Sequence, residues 1–427
     1  MASPARSILP RLEPTASPRQ PAVLTNDVLE EIFLRVATHG DLARASAACV
    51  SFRRLIADPN FLRRFRSRHP PLLLGFLGGV GHEAFQPVEA PHPNAPVARA
   101  LCRAGVFSFD YLPDCGEPGW SLSDVCDGRL LLEAEGSPVH GNGANRFAWP
   151  DLAVCDPLSR QYLLLPRMPE DLLAFLQIKG RDINDFDDLL VPSGDWEETS
   201  FRVLRMVQSR TTSVVLVFSS TSSCWSVGAS TSWDVSFHIP PRQPVLGRPQ
   251  FAHGCCYCKL KYLNKLLKLD MNTMEFSTID LPPDNESHSM AIVEAAEGNL
   301  GMFSVISDIE VTSVQYYIFV QNLSGRANEW HIKKTIPLPD RCFYEFIGSA
   351  QGYVFLVRMR TGPFCNLSQS HFEYVCFSLE SKTANIQRVS GMGPSFSYLY
   401  FGFPSSLSPR RIQGYEAVNR PESSTES

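Results

Sequence analysis

The sequence predicts an α+β multidomain protein, in which a small three-helix module precedes an all-β propeller of six or seven blades. The hydrophobic periodicity is helical only up to about residue 69. After that point, short runs rich in β-branched, aromatic and leucine residues alternate with Gly, Pro, Asn and Ser clusters, as strands alternate with turns. One order of strands and turns also recurs along the β-rich part, which is typical of propeller blades.

The composition is that of a globular protein with a sizeable core. Of the 427 residues, 44% are hydrophobic and 19% are charged. The net charge of -5 gives no electrostatic argument for binding nucleic acid. No window reaches the roughly 18 apolar residues of a membrane span, and the N-terminal segment lacks the apolar run of a secretory signal. We therefore expect a cytoplasmic or nuclear protein that binds neither nucleic acid nor a membrane.

The predicted domain boundaries follow the changes in composition. Residues 1–22 are rich in Pro, Ser and Arg and are expected to form a disordered tail, as is segment 416–427. Residues 23–69 carry the helical pattern. Residues 70–415 carry the β-rich pattern and are too many for one sandwich.

Cap residues mark the ends of the predicted helices. Thr25, Asn26 and Asp27 are N-cap candidates for the first helix, and Glu30, three residues after Asp27, would complete an acidic capping box. Gly40 suits the end of that helix, and Asp41 can cap the next one. Asp58, which precedes a proline, is expected to cap a short fourth turn or helix.

The first predicted helix has more apolar residues than one buried face requires. Val28 widens a stripe at i, i+3, i+4 and i+7, and the stripe consists of Leu29, Ile32, Phe33 and Val36. Leu24 and Leu34 lie off that stripe. The helices could dock on the β-rich region or on another protein, and these two extra leucines favour a partner.

Four copies of the strand pattern are visible, at 126–166, 252–282, 297–339 and 349–389. A single blade cannot bury both of its faces, so stacking of the copies around an axis would create the core. The segment 168–190 departs from the pattern and could hold a helical insert or a long loop.

A C-x-x-C motif near residue 255 is the main candidate for a metal site. His253, Cys255, Cys256 and Cys258 lie close together, but zinc needs four ligands and no second pair lies nearby in the sequence. In a strand, Cys256 and Cys258 would face one side and Cys255 the other. We therefore expect no metal.

Two charged segments have simpler explanations than a ligand site. The acidic segment 182–198 lacks the glycine and terminal glutamate of a calcium loop, so we expect a solvated loop, with a basic partner as the alternative. The lysines between 259 and 268 are expected to lie on an ordinary charged hairpin, with a binding patch as the alternative. No nucleophile elbow, phosphate loop or dinucleotide fingerprint appears, so we expect no cofactor and no catalytic residue.

The motifs "LTNDVLEEIFLRV", "DLARASAACVSFRRLI" and "DPNF", between residues 24 and 66, resemble an F-box. The later repeats, with "CDGRLLL" and Leu-Pro endings, look like the kelch-like, F-box-associated propellers of plant proteins, particularly those of grasses. Two positions depart from the F-box pattern. Thr25 stands where a proline is usual, and Phe52 stands where a tryptophan is frequent.

The resemblance implies a non-catalytic substrate receptor of a Skp-cullin-F-box ubiquitin ligase. The F-box would bind a Skp-family adaptor, which links to a cullin and a RING subunit, while the propeller would bind an unknown protein substrate. The positions that correspond to the adaptor interface are Leu24, Thr25, Val28, Leu29, Ile32, Leu34, Leu42, Ser46, Cys49, Phe52 and Leu55.

Two alternatives come from other functional classes. The propeller could host an enzyme in its central channel, because fold alone does not exclude catalysis. Inward-facing His, Asp or Glu would favour that alternative, and an apolar or plugged channel would oppose it. The chain could also be a scaffold that binds the adaptor but never joins a cullin.

Overall fold

The fold was analysed in a computed structural model. The residues that it describes are 24–36, 39–56, 58–69, 73–78, 85–116, 119–135, 149–179, 183–192, 200–209, 211–233, 246–261, 263–285, 288–307, 311–320, 329–350, 352–361, 372–381, 383, 385–392 and 396–402. The expected disordered tails, 1–22 and 416–427, lie outside these residues. The chain divides into two compact units, residues 1–69 and 70–427.

The first unit is helical. Its helices are α1 (Asn26–Phe33), α2 (His39–Ala48), α3 (Val50–Ile56) and α4 (Pro59–Arg68). Apolar residues from all four helices and from the turn after α1 form one small core, which consists of Phe33, Leu34, Leu42, Ile56, Phe61 and Phe65. The expected short fourth element is thus a helix of ten residues.

The predicted cap of α4 is confirmed. The Asp58 carboxylate accepts hydrogen bonds from the backbone amides of Asn60 (2.8 Å) and Phe61 (3.3 Å), which the first turn of a helix leaves without partners. The cap predictions for the first two helices are correct only for Thr25, which occupies the N-cap position of α1 although its side chain makes no cap hydrogen bond. Asp27 lies within the first turn of α1, and α2 already begins at His39, so Gly40 and Asp41 lie inside it.

The second unit is a six-bladed β-propeller. Blade 1 contains β3 (Gly119–Cys126), β4 (Arg129–Glu135), β5 (Leu152–Asp156) and β6 (Gln161–Leu164). Blade 2 contains β7 (Ile183–Leu190), β8 (Arg202–Ser209), β9 (Thr212–Ser219) and β10 (Cys224–Ser232). Blade 3 contains β11 (Gln250–Ala252), β12 (Cys255–Leu260), β13 (Lys265–Asp270) and β14 (Phe276–Asp280).

The other blades complete the ring. Blade 4 contains β15 (Met290–Glu294), β16 (Leu300–Ser307), β17 (Thr312–Val320) and β18 (Glu329–Pro337). Blade 5 contains β19 (Phe343–Ala350), β20 (Tyr353–Thr361), β21 (Phe372–Glu380) and β22 (Ile386–Met392). The four predicted repeats correspond to blades 1, 3, 4 and 5.

Blade 6 joins the two ends of the propeller sequence. Its order is β2 (Phe85–Pro87), β1 (Leu73–Gly78) and β23 (Phe396–Phe401), all antiparallel. Leu73 lies opposite Phe401 in the pairing of β1 with β23. This sheet therefore closes the ring by hydrogen bonds between the first and last strands of the propeller that the structure describes.

The first strand of a blade, or β23 in blade 6, lies nearest to the axis. Consistent with this, β3 approaches β7, β15 approaches both β11 and β19, and β23 approaches both β19 and β3. These inner strands line a central channel, which places their side chains where a ligand could enter.

The cysteine-rich strand β12 confirms the predicted alternation. Cys256 and Cys258 pack with residues of blade 2, and the Cys258 sulfur lies 3.8 Å from that of Met206. Cys255 faces the opposite side and packs with residues of blade 4 such as Met302. These cysteines therefore belong to the cores between blades. The predicted charged hairpin is also present, as β12 and β13.

Two helices interrupt the β-rich part. Helix α5 (Ala95–Arg103) was not predicted, and it lies against β1 and β2 with Ala98 fully buried. Helix α6 (Glu170–Lys179) confirms the helical insert that was one of two expectations for 168–190. In the part of the chain described above, no helix is both long and apolar enough to span a membrane.

The acidic segment is not a solvated loop, and that prediction is wrong. Its first part is β7, the inner strand of blade 2, while 193–199 lies outside the described residues. Strand alternation places Phe186 and Asp188 on the side of β7 that packs with blade 1, where Arg205 neutralises the Asp188 carboxylate. Asp185 and Asp187 lie on the opposite side of the strand. A buried counter-charge thus makes an acidic sequence compatible with an inner strand.

Candidate functional site

An exposed apolar set lies on and just before α1. Leu24, Val28 and Ile32 are 49%, 45% and 44% exposed. Val28 and Ile32 are one helical turn apart and share a face of α1. Exposed aliphatic side chains at this spacing are suited to contact with a partner protein. We call these three residues the α1 apolar set.

The predicted partner-facing role of Leu34 is wrong. Leu34 is 1% exposed and packs in the helical core, as does Leu42. Helix α1 ends at Phe33, so the periodicity that placed Leu34 away from the buried face no longer applies at that position. Ile32 was assigned to the buried stripe, but its side chain is exposed.

Three other predicted interface residues support the core from its edge. Leu29, Phe52 and Leu55 are partly buried and pack against the core residues. The ring of Phe52 meets that of Phe33 edge to face, with 5.0 Å between centroids. Phe52 thus provides an aromatic contact at the position where a tryptophan is frequent.

The remaining predicted interface residues are more accessible. Thr25 and Cys49 are exposed, and Ser46 is half-buried. Thr25 precedes α1 without a side-chain cap bond. Val50, which sequence reasoning missed, is also exposed at the start of α3. The exposure of Val50 was hard to predict, because the residue begins a new helix directly after a break and the periodicity of the preceding helix does not say which way it faces.

Polar contacts hold α1 against α4. The Arg64 guanidinium binds the carboxylates of Glu30 and Glu31, the latter at 2.5 Å. The His69 ring lies 2.9 Å from the carbonyl oxygen of Leu34, joining the end of α4 to the end of α1. Exposed ion pairs add little stability, but these contacts orient the helix that carries the α1 apolar set.

A cavity of about 430 Å³ lies in the central channel of the propeller. Its walls come from the inner strands β3, β7 and β23, from the end of β4, from segment 246–249 ahead of β11, and from the turn after β12. Besides Asp188, the charged residues that line the cavity are Asp124, Glu133, Asp185, Asp187, Arg248 and Lys261. We call it the channel cavity.

Two irregularities and two hydrogen bonds shape the channel cavity. The pairing register shifts in β3 next to Ser123 and in β7 just before Asp185, as in β-bulges, which re-aim side chains. The Ser123 hydroxyl donates to the Asp188 carbonyl oxygen at 3.1 Å, and the Tyr398 hydroxyl donates to the Ser123 carbonyl oxygen. These bonds join the inner strands of three blades.

Burial in the channel cavity shifts the pKa of two of its carboxyl groups. Burial, together with the carboxylates of Asp185 and Asp188, raises the pKa of Asp187 to about 6, although Arg248 and Lys261 act in the opposite direction. Burial also raises the pKa of Asp124. Burial is the larger cause in both cases, because it disfavours the charged form of a carboxyl group.

The acceptor atoms of these two carboxylates are held in place. Gln208 donates from its side-chain amide to Asp187 at 2.9 Å. The backbone amide of Leu190 donates to Asp124, also at 2.9 Å. The carboxylates therefore have defined orientations before any ligand arrives.

A buried ion pair joins Asp188 of β7 to Arg205 of β8. The Arg205 guanidinium donates two hydrogen bonds of 2.7 Å to the Asp188 carboxylate, and their side chains are 3% and 0% exposed. The same guanidinium lies over the rings of Trp149, Phe186 and Trp225, at 5.2 to 5.6 Å from their centroids. This pair neutralises Asp188, so that carboxylate is not available to a ligand.

The channel cavity bears on the enzyme alternative. Carboxylates face the channel, as that alternative requires, but no histidine lines the cavity among the described residues. Within those same residues, no group of three or more His, Cys, Asp or Glu is placed to hold a metal ion. Sequence reasoning missed Glu133, Arg248 and Tyr398, since blades far apart in the chain bring them together.

The sequence matches one family model. The model is described as F-box protein AT5G49610-like, beta-propeller, and it matches residues 121–344, which is just over half of the chain. A comparison with curated proteins found no match.

Several solved structures match the chain at low identity. A Bacteroides fragilis protein described as a 6-phosphogluconolactonase has a TM-score of 0.38 and 10% identity, over 75% of this chain and 81% of its own. The WD40 domain of SCAP from fission yeast has a TM-score of 0.27 and 10% identity, over 65% and 80%. The mannose phosphorylase MPT-4 from Leishmania mexicana has a TM-score of 0.27 and 13% identity, over 52% and 77%. These TM-scores are too low to support a functional argument.

Proposed function

The chain belongs to the family of F-box proteins with an AT5G49610-like β-propeller, and we propose that it is a substrate receptor of a Skp-cullin-F-box ubiquitin ligase. In this proposal residues 24–66 are the F-box and bind a Skp-family adaptor. Through the adaptor the chain joins a cullin and a RING subunit, and the propeller holds a protein substrate.

The α1 apolar set is the observation that carries the proposal. The helical unit already has a core of its own, yet it leaves Leu24, Val28 and Ile32 in water. A few large apolar side chains in a desolvated patch dominate the affinity of most protein interfaces. Burial of these three side chains against an adaptor would remove an unfavourable exposure at the position that the F-box resemblance assigns to adaptor binding.

The test is co-purification of the full chain with a Skp-family adaptor. The variant Val28→Asp, Ile32→Asp should lose capture, because it places two charges in the apolar set without touching the buried core. A matched control is Val227→Asp, Ile332→Asp, which makes the same two changes at exposed positions of the propeller. The proposal fails if the two double variants capture the adaptor equally.

The same experiment addresses the scaffold alternative. A receptor should bring down the cullin and the RING subunit together with the adaptor. Adaptor without cullin, under conditions in which another F-box protein recovers both, would favour the scaffold.

In this proposal the chain itself carries out no chemistry. Its contribution is proximity, which makes ubiquitin transfer to the bound substrate effectively intramolecular. Two of the thiols are unsuited to carry ubiquitin, because burial raises the pKa of Cys155 to about 12, and a hydrogen bond with Cys256, together with burial, raises the pKa of Cys258 well above its usual range. A thiol-sensitive ubiquitin adduct on this chain, in a reconstituted ligase reaction, would contradict the proposal.

We further propose that the propeller is of the kelch-like plant type, particularly that of grasses, and that the chain acts in the cytoplasm, the nucleus or both. The first part rests on the resemblance of the later repeats, with "CDGRLLL" and Leu-Pro endings, to those propellers. The second part rests on the resemblance to F-box proteins and can be tested by imaging the fluorescently tagged full chain.

A further inference from the structure

We propose that two cysteines and one methionine between blades 2 and 3 form a binding site for Cu(I). The ligands are the thiols of Cys256 and Cys258 in β12 and the thioether of Met206 in β8, and we call these three side chains the sulfur site. This inference goes beyond the proposed receptor function and does not depend on it.

Three sulfur atoms from two neighbouring blades come together in the sulfur site. The Cys258 sulfur lies 3.8 Å from the Met206 sulfur. Cys256 is two residues away in β12 and packs in the same core, and its hydrogen bond with Cys258 contributes to the raised pKa of the Cys258 thiol. Two thiols and a thioether are therefore close enough to bind one ion.

The spacing of the sulfur atoms suits a shared metal ion. A metal–sulfur bond of about 2.3 Å places the sulfur ligands of a tetrahedral or trigonal ion about 3.8 to 4.0 Å apart. The distance of 3.8 Å between the sulfurs of Cys258 and Met206 agrees with that spacing. These two ligands would thus need little movement to bind the ion.

The chemistry of the ligands selects a soft ion. Thiolate and thioether sulfurs favour Cu(I), whereas carboxylates and water favour Mg²⁺ and Ca²⁺. The sequence argued against zinc because a zinc site needs four ligands, but Cu(I) also forms stable trigonal sites with sulfur. Only two of these side chains are of the usual His, Cys, Asp and Glu types, and the third donor is a methionine, which binds soft ions.

Burial of the sulfur site requires a complex without net charge. Met206 and Cys256 are fully buried, and Cys258 is 2% exposed. Binding of Cu(I) would break one S–H bond, form one Cu–thiolate bond and release one proton to the solvent. The other thiol and the thioether would bind as neutral ligands, so the charges of the ion and the thiolate cancel. No oxidation or reduction takes place.

The channel cavity provides a route to the sulfur site. Leu189 and Leu246 line the cavity and also belong to the apolar core that contains the three sulfur atoms. These two side chains therefore lie between the ligands and the channel. An ion bound to the sulfur site would link blade 2 to blade 3 beside the channel cavity.

The experiment measures transfer of Cu(I) to the full chain, without oxygen, from its coloured complex with the chelator bicinchoninate. Wild type should take Cu(I) from the chelator, and X-ray absorption should show sulfur atoms as its ligands. Because the ion binds the folded chain, wild type should also unfold at a higher temperature when Cu(I) is present. Zinc at the same concentration should not displace the copper.

Cysteine variants separate the sulfur site from the other thiols of the chain. Cys256→Ala, Cys258→Ala should take up one equivalent of Cu(I) less than wild type. The matched control Cys155→Ala, Cys376→Ala also removes two buried thiols, and it should take up as much as wild type.

A methionine variant tests the third ligand without removing a thiol. Met206→Leu nearly keeps the volume of the side chain, so the core should stay folded. Loss of the thioether should weaken Cu(I) binding at least about tenfold. The matched control is Met302→Leu, which changes a fully buried methionine in the core between blades 3 and 4 and should leave the affinity unchanged.

Four results would overturn the inference. The first is equal uptake by wild type and Cys256→Ala, Cys258→Ala, because the copper would then be held by other thiols. The second is equal loss in the two double cysteine variants. The third is equal affinity of Met206→Leu and wild type. The fourth is displacement of the copper by zinc, because the site would then not select a soft ion.

Discussion

The buried pair Asp188 and Arg205 allows a quantitative prediction of stability. Asp188→Asn removes the negative charge but keeps the size of the side chain, so the Arg205 guanidinium stays buried without its counter-ion. Loss of one partner of a buried ion pair costs about 3 to 5 kcal/mol. The three aromatic rings around Arg205 still stabilise its charge, so we expect a value near the lower end, about 3 kcal/mol.

Urea unfolding of the full chain at pH 7, followed by tryptophan fluorescence, measures this loss, because Trp149 and Trp225 lie beside the pair. Asp151→Asn is the matched control. Asp151 also accepts two hydrogen bonds of 2.8 Å from one arginine, Arg167, but these side chains are 36% and 61% exposed. The control should lose less than about 1 kcal/mol. Equal losses in the two variants would refute the argument that burial sets the magnitude.

Three further predictions concern single positions. Gly75→Ala should destabilise the propeller by about 2 kcal/mol in the same assay, because a Cβ there would collide with the backbone of Gln86 in the closing blade. The folded pKa of Asp187, about 6, lies above the ordinary aspartate value of 3.8, so wild type gains stability as the pH falls from 7 through 6. Asp187→Asn should therefore be more stable than wild type by about 2 kcal/mol at pH 7, and the difference should halve at pH 5. Asp58→Ala should weaken α4 by about 1 kcal/mol, measured by hydrogen exchange of its amides, while the amides of the propeller keep their protection.

Local signals were sufficient for much of the fold. The Asp58 cap depends on two neighbouring amides, and the alternation of Cys255, Cys256 and Cys258 depends only on strand geometry. Both were predicted, as were four of the blades. The failures lie where a helix ends, as at Leu34, since periodicity has no meaning beyond the last helical residue.

Long-range pairing accounts for the parts that the sequence did not predict. Nothing in the sequences of β1 and β23 indicates that these two strands pair. The aspartates of β7 made that segment look like a loop, because Arg205, which neutralises Asp188, comes from the next strand. The channel cavity could not be predicted for the same reason, because its lining residues come from distant parts of the chain. Glu133, Arg248 and Tyr398 meet only once the ring has closed.

The closing blade also determines how the propeller would respond to a pulling force. Because Leu73 lies opposite Phe401, the chain enters β1 and leaves β23 at the same end of their ladder. A force applied between those points would peel the hydrogen bonds apart one after another instead of shearing them all at once. An unfolding machine that pulls on the chain beyond β23 should therefore remove that strand first, and with it Tyr398. The channel cavity would lose one of its walls while the other five blades are still intact.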